Sequence, residues 1–145
     1  MKRILVATDG SAGAARAIDF AAELAMETSA ELLIVNVMGV QSLEEMVLGQ
    51  VTRPQSAWIR DVLSARSAEI LREARERARL KGRVSVQLES RDGDVAQAIL
   101  DVARETPSDA IVVGKRGTGR VAGLLIGSVS QKLVSLANNV VIVVP

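Results

Sequence analysis

Gly114-Lys115-Arg116-Gly117, followed after nine residues by Gly127-Ser128-Val129, has the makings of an anion site. Glycines at 114, 117 and 127 suit a backbone that bends sharply and lies close to a ligand. If Gly127-Ser128-Val129 opens a helix, its unpaired amides and its dipole favour negative charge. The chemistry is that of a phosphate cradle made of main chain and a hydroxyl. Asp9, within Thr8-Asp9-Gly10-Ser11, is the second candidate. A carboxylate accepts hydrogen bonds from sugar hydroxyls, but one placed before Ser11 could equally cap a helix. Lys115 and Arg116 could bring charge to phosphates or simply face water. Ser128 could cap its helix, bind phosphate, or do both.

Better-known phosphate loops do not fit. Gly114 to Gly119 has the spacing of a Walker A opening, yet Arg120-Val121 stands where Lys-Ser/Thr would meet phosphate and magnesium. Gly117-Thr118-Gly119 with Gly123 has one residue too many for the dinucleotide fingerprint and does not follow the first strand.

The absences narrow the chemistry further. With no Cys there is no disulfide, thiolate nucleophile or cysteine metal site. With no His, a Ser-His-Asp triad and the usual zinc hydrolase are excluded. Catalysis would have to rest on Asp, Glu, Lys, Arg, Ser or Thr, or on a metal carried by the substrate. A net charge of +1 gives no field that argues for nucleic acid. One Trp, one Phe and no Tyr give no platform for stacking single-stranded bases.

Elements that could position these residues are legible along the chain. Its 145 residues suit one domain, large enough to bury roughly 68–70% of the unfolded surface. Ile4 to Ala7 reads as a strand covered on both faces. Ser11 is a plausible N-cap for a helix with Ala14, Ile18, Ala21 and Ala25 along one side. Leu32 to Met38 is strand-like, and Gly39 to Pro54 reads as a loop with a short helix around Ser42–Leu48. A long helix is expected from Gln55 to Lys81, with Ile59, Val62, Leu63, Ile70, Ala74 and Ala78 inward, Gly82 at its exit, and Arg72–Glu76 and Glu73–Arg77 pairs. Val84 to Leu88 alternates like a less covered strand, Asp92-Gly93-Asp94 turns, and Asp94 can cap a helix that Pro107 stops. Asp109 to Gly114, Ser128 to Ala137 and Val140 to Val144 complete a strand, a helix and a strand. Leu124-Leu125-Ile126 reads as packing that pins the glycine loop against the sheet. Alternating strands and helices argue for a parallel sheet with helices on both faces. Ligands in such folds settle beyond the carboxyl ends of the strands, where strand order reverses. The apolar run after Lys2-Arg3 closes at Asp9, too soon for a signal-peptide core, and no run reaches the ~18 residues of a membrane helix. A cytoplasmic location is expected.

Gly114-x-x-Gly117, nine residues, then Gly127-Ser128 resembles the nucleotide-binding branch of the universal stress protein family. Ile4 to Ser11, Asp109 to Gly114 and Val141 to Pro145 are similar to that family too, so the resemblance spans essentially residues 1–145. It implies a single Rossmann-like α/β domain of the adenine nucleotide alpha hydrolase type, five parallel strands in the order 3-2-1-4-5. It also implies an adenine nucleotide as ligand. Main chain around Ala7 and Val37 would meet the base, and Asp9 would sit near the ribose hydroxyls. Gly114, Gly117, Gly127, Ser128 and Val129 would surround the phosphates, and Thr8, Val113, Lys115 and Arg116 belong to the same nucleotide-binding set. Two departures stand out: Val140 replaces a frequent proline, and Lys115-Arg116 adds positive charge beside the phosphates.

The expectation is therefore an ATP-binding stress or regulatory protein, with Mg²⁺ or Mn²⁺ held mainly by the triphosphate. AMP or cyclic AMP is the alternative ligand. Slow ATP hydrolysis or self-phosphorylation, and a nucleotide-free interaction module, are the alternative functions; no clear general base argues for fast turnover. A homodimer through the apolar strand Val140–Val144 is expected as well, because an open apolar edge associates unless covered.

Overall fold

Unbroken apolar runs become the strands at the centre of the sheet. The computed structural model describes residues 1–39, 53–118 and 125–145, with side chains of the second stretch described from residue 57. Its elements are β1 (Arg3–Ala7), α1 (Ala12–Thr28), β2 (Glu31–Gly39), α2 (Arg53–Lys81), β3 (Val86–Gly93), α3 (Val95–Glu105), β4 (Ala110–Gly114), α4 (Ser128–Leu136) and β5 (Val140–Val144). The strands are parallel in the order β3-β2-β1-β4-β5, as expected. Ile4, Val6, Leu32 and Ile34 face α1 and α2, while Leu5, Leu33, Ile111 and Leu133 form the core beneath α3 and α4. Small residues on the inner side of α1, notably Ala17, Ala21 and Ala22, let that helix lie close to the sheet. The connections leaving β1 and β4 diverge to opposite faces and open a crevice at their carboxyl ends. No helix among the described residues is long and apolar enough to cross a membrane.

Several local expectations are corrected. Helix α2 starts at Arg53, because a proline such as Pro54 is tolerated in a first turn that needs no amide hydrogen. Its buried stripe includes Ser67 and Leu71, whereas Val62 is 43% exposed. Strand β3 begins at Val86 and runs through the expected Asp92-Gly93 turn, because β2 extends to Gly39 and pairs it with Gly93. Tertiary pairing there overrides turn propensity. The expected Arg72–Glu76 and Glu73–Arg77 pairs do not form. Arg72 binds Glu69 within the helix, and Arg77 reaches Asp19 on α1. An inter-helix carboxylate in fixed geometry outcompetes an exposed pair one turn away. The loop expected at 39–54 and its short helix at Ser42–Leu48 fall, from residue 40 to residue 52, outside the described residues.

Asp109 precedes β4 and ties it to β1. Its carboxylate accepts hydrogen bonds from the amides of Arg3 (2.9 Å) and Lys2 (2.6 Å). Those donors hold its pKa below the ordinary aspartate value. A lowered folded-state pKa stabilises above the unfolded value of about 3.9 and is lost as pH falls through the folded one. Asp109→Asn should therefore be less stable than wild type near pH 7, with the gap closing as pH drops below about 3.9; urea midpoints at both ends test this.

Candidate functional site

A cleft of about 420 Å³ lies at the carboxyl ends of the strands. Its lining includes Ala7, Thr8 and Asp9 after β1, Val37 of β2, Val113 and Gly114 of β4, then Arg116, Gly117, Gly127, Ser128 and Val129. Every residue singled out from the sequence is thus brought to this cleft except Lys115. Lys115 contributes through its main chain: its amide donates to Val144 O (2.7 Å) and its carbonyl accepts from Gly127 N (2.7 Å). The strand edge β5, the turn after β4 and the start of α4 are fastened together at this residue.

The start of α4 is built for an acceptor from outside the helix. Gly127 is its N-cap and, lacking a side chain, supplies no cap hydrogen bond. Ser128 is the first helical residue, not the cap, and its side chain is exposed. Helix geometry leaves the first amides, including those of Ser128 and Val129, without carbonyl partners in the helix. Ser130 Oγ donates to Gly114 O (2.8 Å) and locks the helix start onto β4. Leu125 and Ile126 do not pin the loop: they are 78% and 39% exposed, and Leu124 lies outside the described residues. The main-chain bond from Gly127 to Lys115 holds this end of the loop instead, so no apolar anchor is required.

The glycines serve proximity more than bending. Gly127 has φ −66°, and Gly114 and Gly117 are not among the positive-φ residues. What they lack is room. A Cβ on Gly117 would sit 2.5 Å from Asp9 Oδ2.

Asp9 is not the cap of α1; Ser11 is, accepting from Ala14 N (3.2 Å). Asp9 Oδ1 instead accepts from Ser11 N (2.9 Å) and Oδ2 from Thr118 N (2.9 Å), so the carboxylate clasps the glycine turn across the cleft. Each oxygen keeps acceptor capacity for a further donor.

Sequence reasoning missed the wall opposite. Leu63, Arg66, Ser67 and Ile70 of α2 line the cleft, as does Asn36 of β2. Asn36 and Ser67 are only 4% and 2% exposed. Asn36 Nδ2 donates to Thr8 O (2.8 Å), which fixes the amide orientation, and its Oδ1 accepts from Ser67 Oγ (2.6 Å). With its proton so committed, Ser67 accepts from Ser90 Oγ (2.8 Å). This chain of bonds ties β3, α2 and β2 to the carbonyl just before Asp9. The available signal was Asn36 itself, a polar residue inside an apolar strand run, which burial permits only with partners. Its partners are remote in sequence.

The family model described as "Universal stress protein family" matches residues 1–145. The universal stress protein YxiE of Bacillus subtilis is 36% identical, covering 98% of this chain and 97% of its own. A universal stress protein solved in complex with cAMP is similar with a TM-score of 0.74 and 28% identity, covering 99% of this chain and 95% of that one. The Archaeoglobus fulgidus universal stress protein solved in complex with dAMP has a TM-score of 0.69 and 25% identity, with coverage of 100% and 98%.

Proposed function

Because this chain belongs to the universal stress protein family, we propose that its cleft binds an adenine nucleotide, ATP foremost. In this reading it acts as a cytoplasmic stress-response regulator through the bound state rather than through fast turnover. The observation that carries the reading is the meeting, in one cleft, of a helix start without a side-chain cap and a carboxylate facing it across a glycine turn. Main chain at Ala7 and Val37 would meet the base, Asp9 the ribose, and the amides of Ser128 and Val129, beside Gly127, the phosphates. Arg116 adds charge at that end. The two relatives solved with cAMP and dAMP support an adenine ligand.

Slow chemistry follows from the same lining. Asp9 is the single carboxylate among the described lining residues, and both its oxygens already have main-chain donors. Among the described lining residues there is then no second carboxylate to orient water while Asp9 holds the ribose. No group of three or more acidic, His or Cys residues that could hold a metal occurs among the described residues. Mg²⁺ or Mn²⁺ would therefore travel with the phosphates.

Calorimetric titration with ATP, AMP and cyclic AMP tests the assignment. Asp9→Ala removes the ribose acceptor and the clasp on Thr118, and is expected to weaken binding by about tenfold, the worth of one charge-assisted hydrogen bond. Unchanged affinity in Asp9→Ala would remove this carboxylate from the nucleotide site.

A homodimer through β5 belongs to the same proposal. The strand is wholly aliphatic, forms the sheet edge beside β4, and leaves Val140 60% exposed. Such an edge pairs unless blunted by charge. Light scattering at micromolar concentration should give a dimer, and Val140→Lys should shift it toward monomer. A monomeric wild type would overturn the pairing.

A further inference from the structure

We infer that Arg66 closes over the flat face of the bound nucleobase and supplies the stacking that this cleft otherwise lacks. The inference rests on the nucleotide reading above. Nucleobases need a planar or apolar partner on their faces, and aromatic rings usually provide it. Here neither Trp58 nor Phe20, the chain's two aromatic residues, lines the cleft. The apolar faces there are aliphatic, from Leu63 and Ile70 on α2 and Val95 on α3, and the planar cations on the lining are two guanidiniums, Arg66 and Arg116. Arg116 follows Gly114 at the phosphate end, which leaves Arg66 as the planar cation that can stack on a π-system at the other end.

Its placement favours the base over the phosphates. Helix α2 packs on α1, β2 and β3, so Arg66 borders the half of the cleft that contains Val37. The Gly114 and Gly127 turn lies beyond β1, on the side of β4 and β5. The fork is also uncommitted to a carboxylate among the described residues. Glu69, one turn along α2, accepts from Arg72 on both of its oxygens, at 2.6 and 3.1 Å. Ser67, the next residue, is fixed in the bonded chain from Ser90 to Asn36, which sets the local rotation of α2. Arg66 is thus an exposed cation held at the mouth of an apolar slot.

Adenosine, AMP and ATP titrated against wild type, Arg66→Ala and Arg66→Lys test the assignment. Stacking on the base is shared by all three ligands. Arg66→Ala should therefore weaken each by the same factor, on the order of tenfold, and Arg66→Lys should leave most of the loss in place because an ammonium is not planar. With ¹⁵N-labelled arginine, the Arg66 Nε–H resonance should shift upfield when adenosine, which carries no phosphate, saturates the protein. A loss confined to ATP, or full rescue by lysine, would make Arg66 a phosphate contact and overturn the inference. So would undiminished adenosine affinity in Arg66→Ala. Absence of nucleotide binding by wild type would sink the underlying reading as well, which separates the two failures.

Discussion

Gly114→Ala is expected to destabilise the protein by about 1–3 kcal/mol, the usual cost of an overpacked contact. The added Cβ would lie 2.8 Å from Gly13 C, 2.9 Å from Gly13 O and 3.1 Å from Ala14 N. All three are main-chain atoms in the first turn of α1, where no side chain can swing aside. Neither partner is free to retreat. Gly114 is paired with Val144 and its carbonyl is held by Ser130, while α1 is capped by Ser11. Gly13 meets the same limit from its own side, since a Cβ there would sit 2.7 Å from Arg116 O. Urea unfolding of Gly114→Ala and Gly13→Ala measures the cost. Wild-type stability in both would show that the helix and the turn can part.

Gly127→Val should instead act on the ligand. Its backbone is ordinary helix-entry geometry, φ −66° and ψ 158°, which valine can adopt. A Cβ there would stand 3.3 Å from Lys115 O and 3.4 Å from Arg116 Cα, already tight. The further methyl groups of valine must then enter the gap between the turn and the helix start. Losing two amide contacts to a charged phosphate corresponds to roughly a hundredfold in Kd. ATP titration of the variant, with circular dichroism to verify folding, is the measurement. Undiminished ATP binding by folded Gly127→Val would exclude the start of α4 from the nucleotide site.

What could be read from residues alone follows from locality. Strands β1, β4 and β5 are short apolar runs bounded by polar or turn residues, so their existence depends on composition within a few positions. Ser11 and Asp94 cap α1 and α3 because a cap needs only its own helix. The spacing of Gly114, Gly117 and Gly127 was visible for the same reason. The buried bonds from Ser90 through Ser67 and Asn36 to Thr8 were not, since they join residues 23 to 31 positions apart and Asn36, a polar residue in an apolar run, does not by itself name its partners. Nor was the purpose of the glycines, which face Gly13, Asp9 and Lys115 across the fold rather than turning the chain.

The sequence by itself determined which segments become strands and helices, and which residues collect at the strand ends. Periodicity and capping are properties of a single element, and a parallel sheet delivers every strand end to one side. Only the tertiary structure decided where β3 stops, what Asp9 holds, and that Arg66 of α2 overlooks the cleft. Each of these depends on the distance between segments that the chain does not connect directly, and such distances exist only once the helices have packed against the sheet.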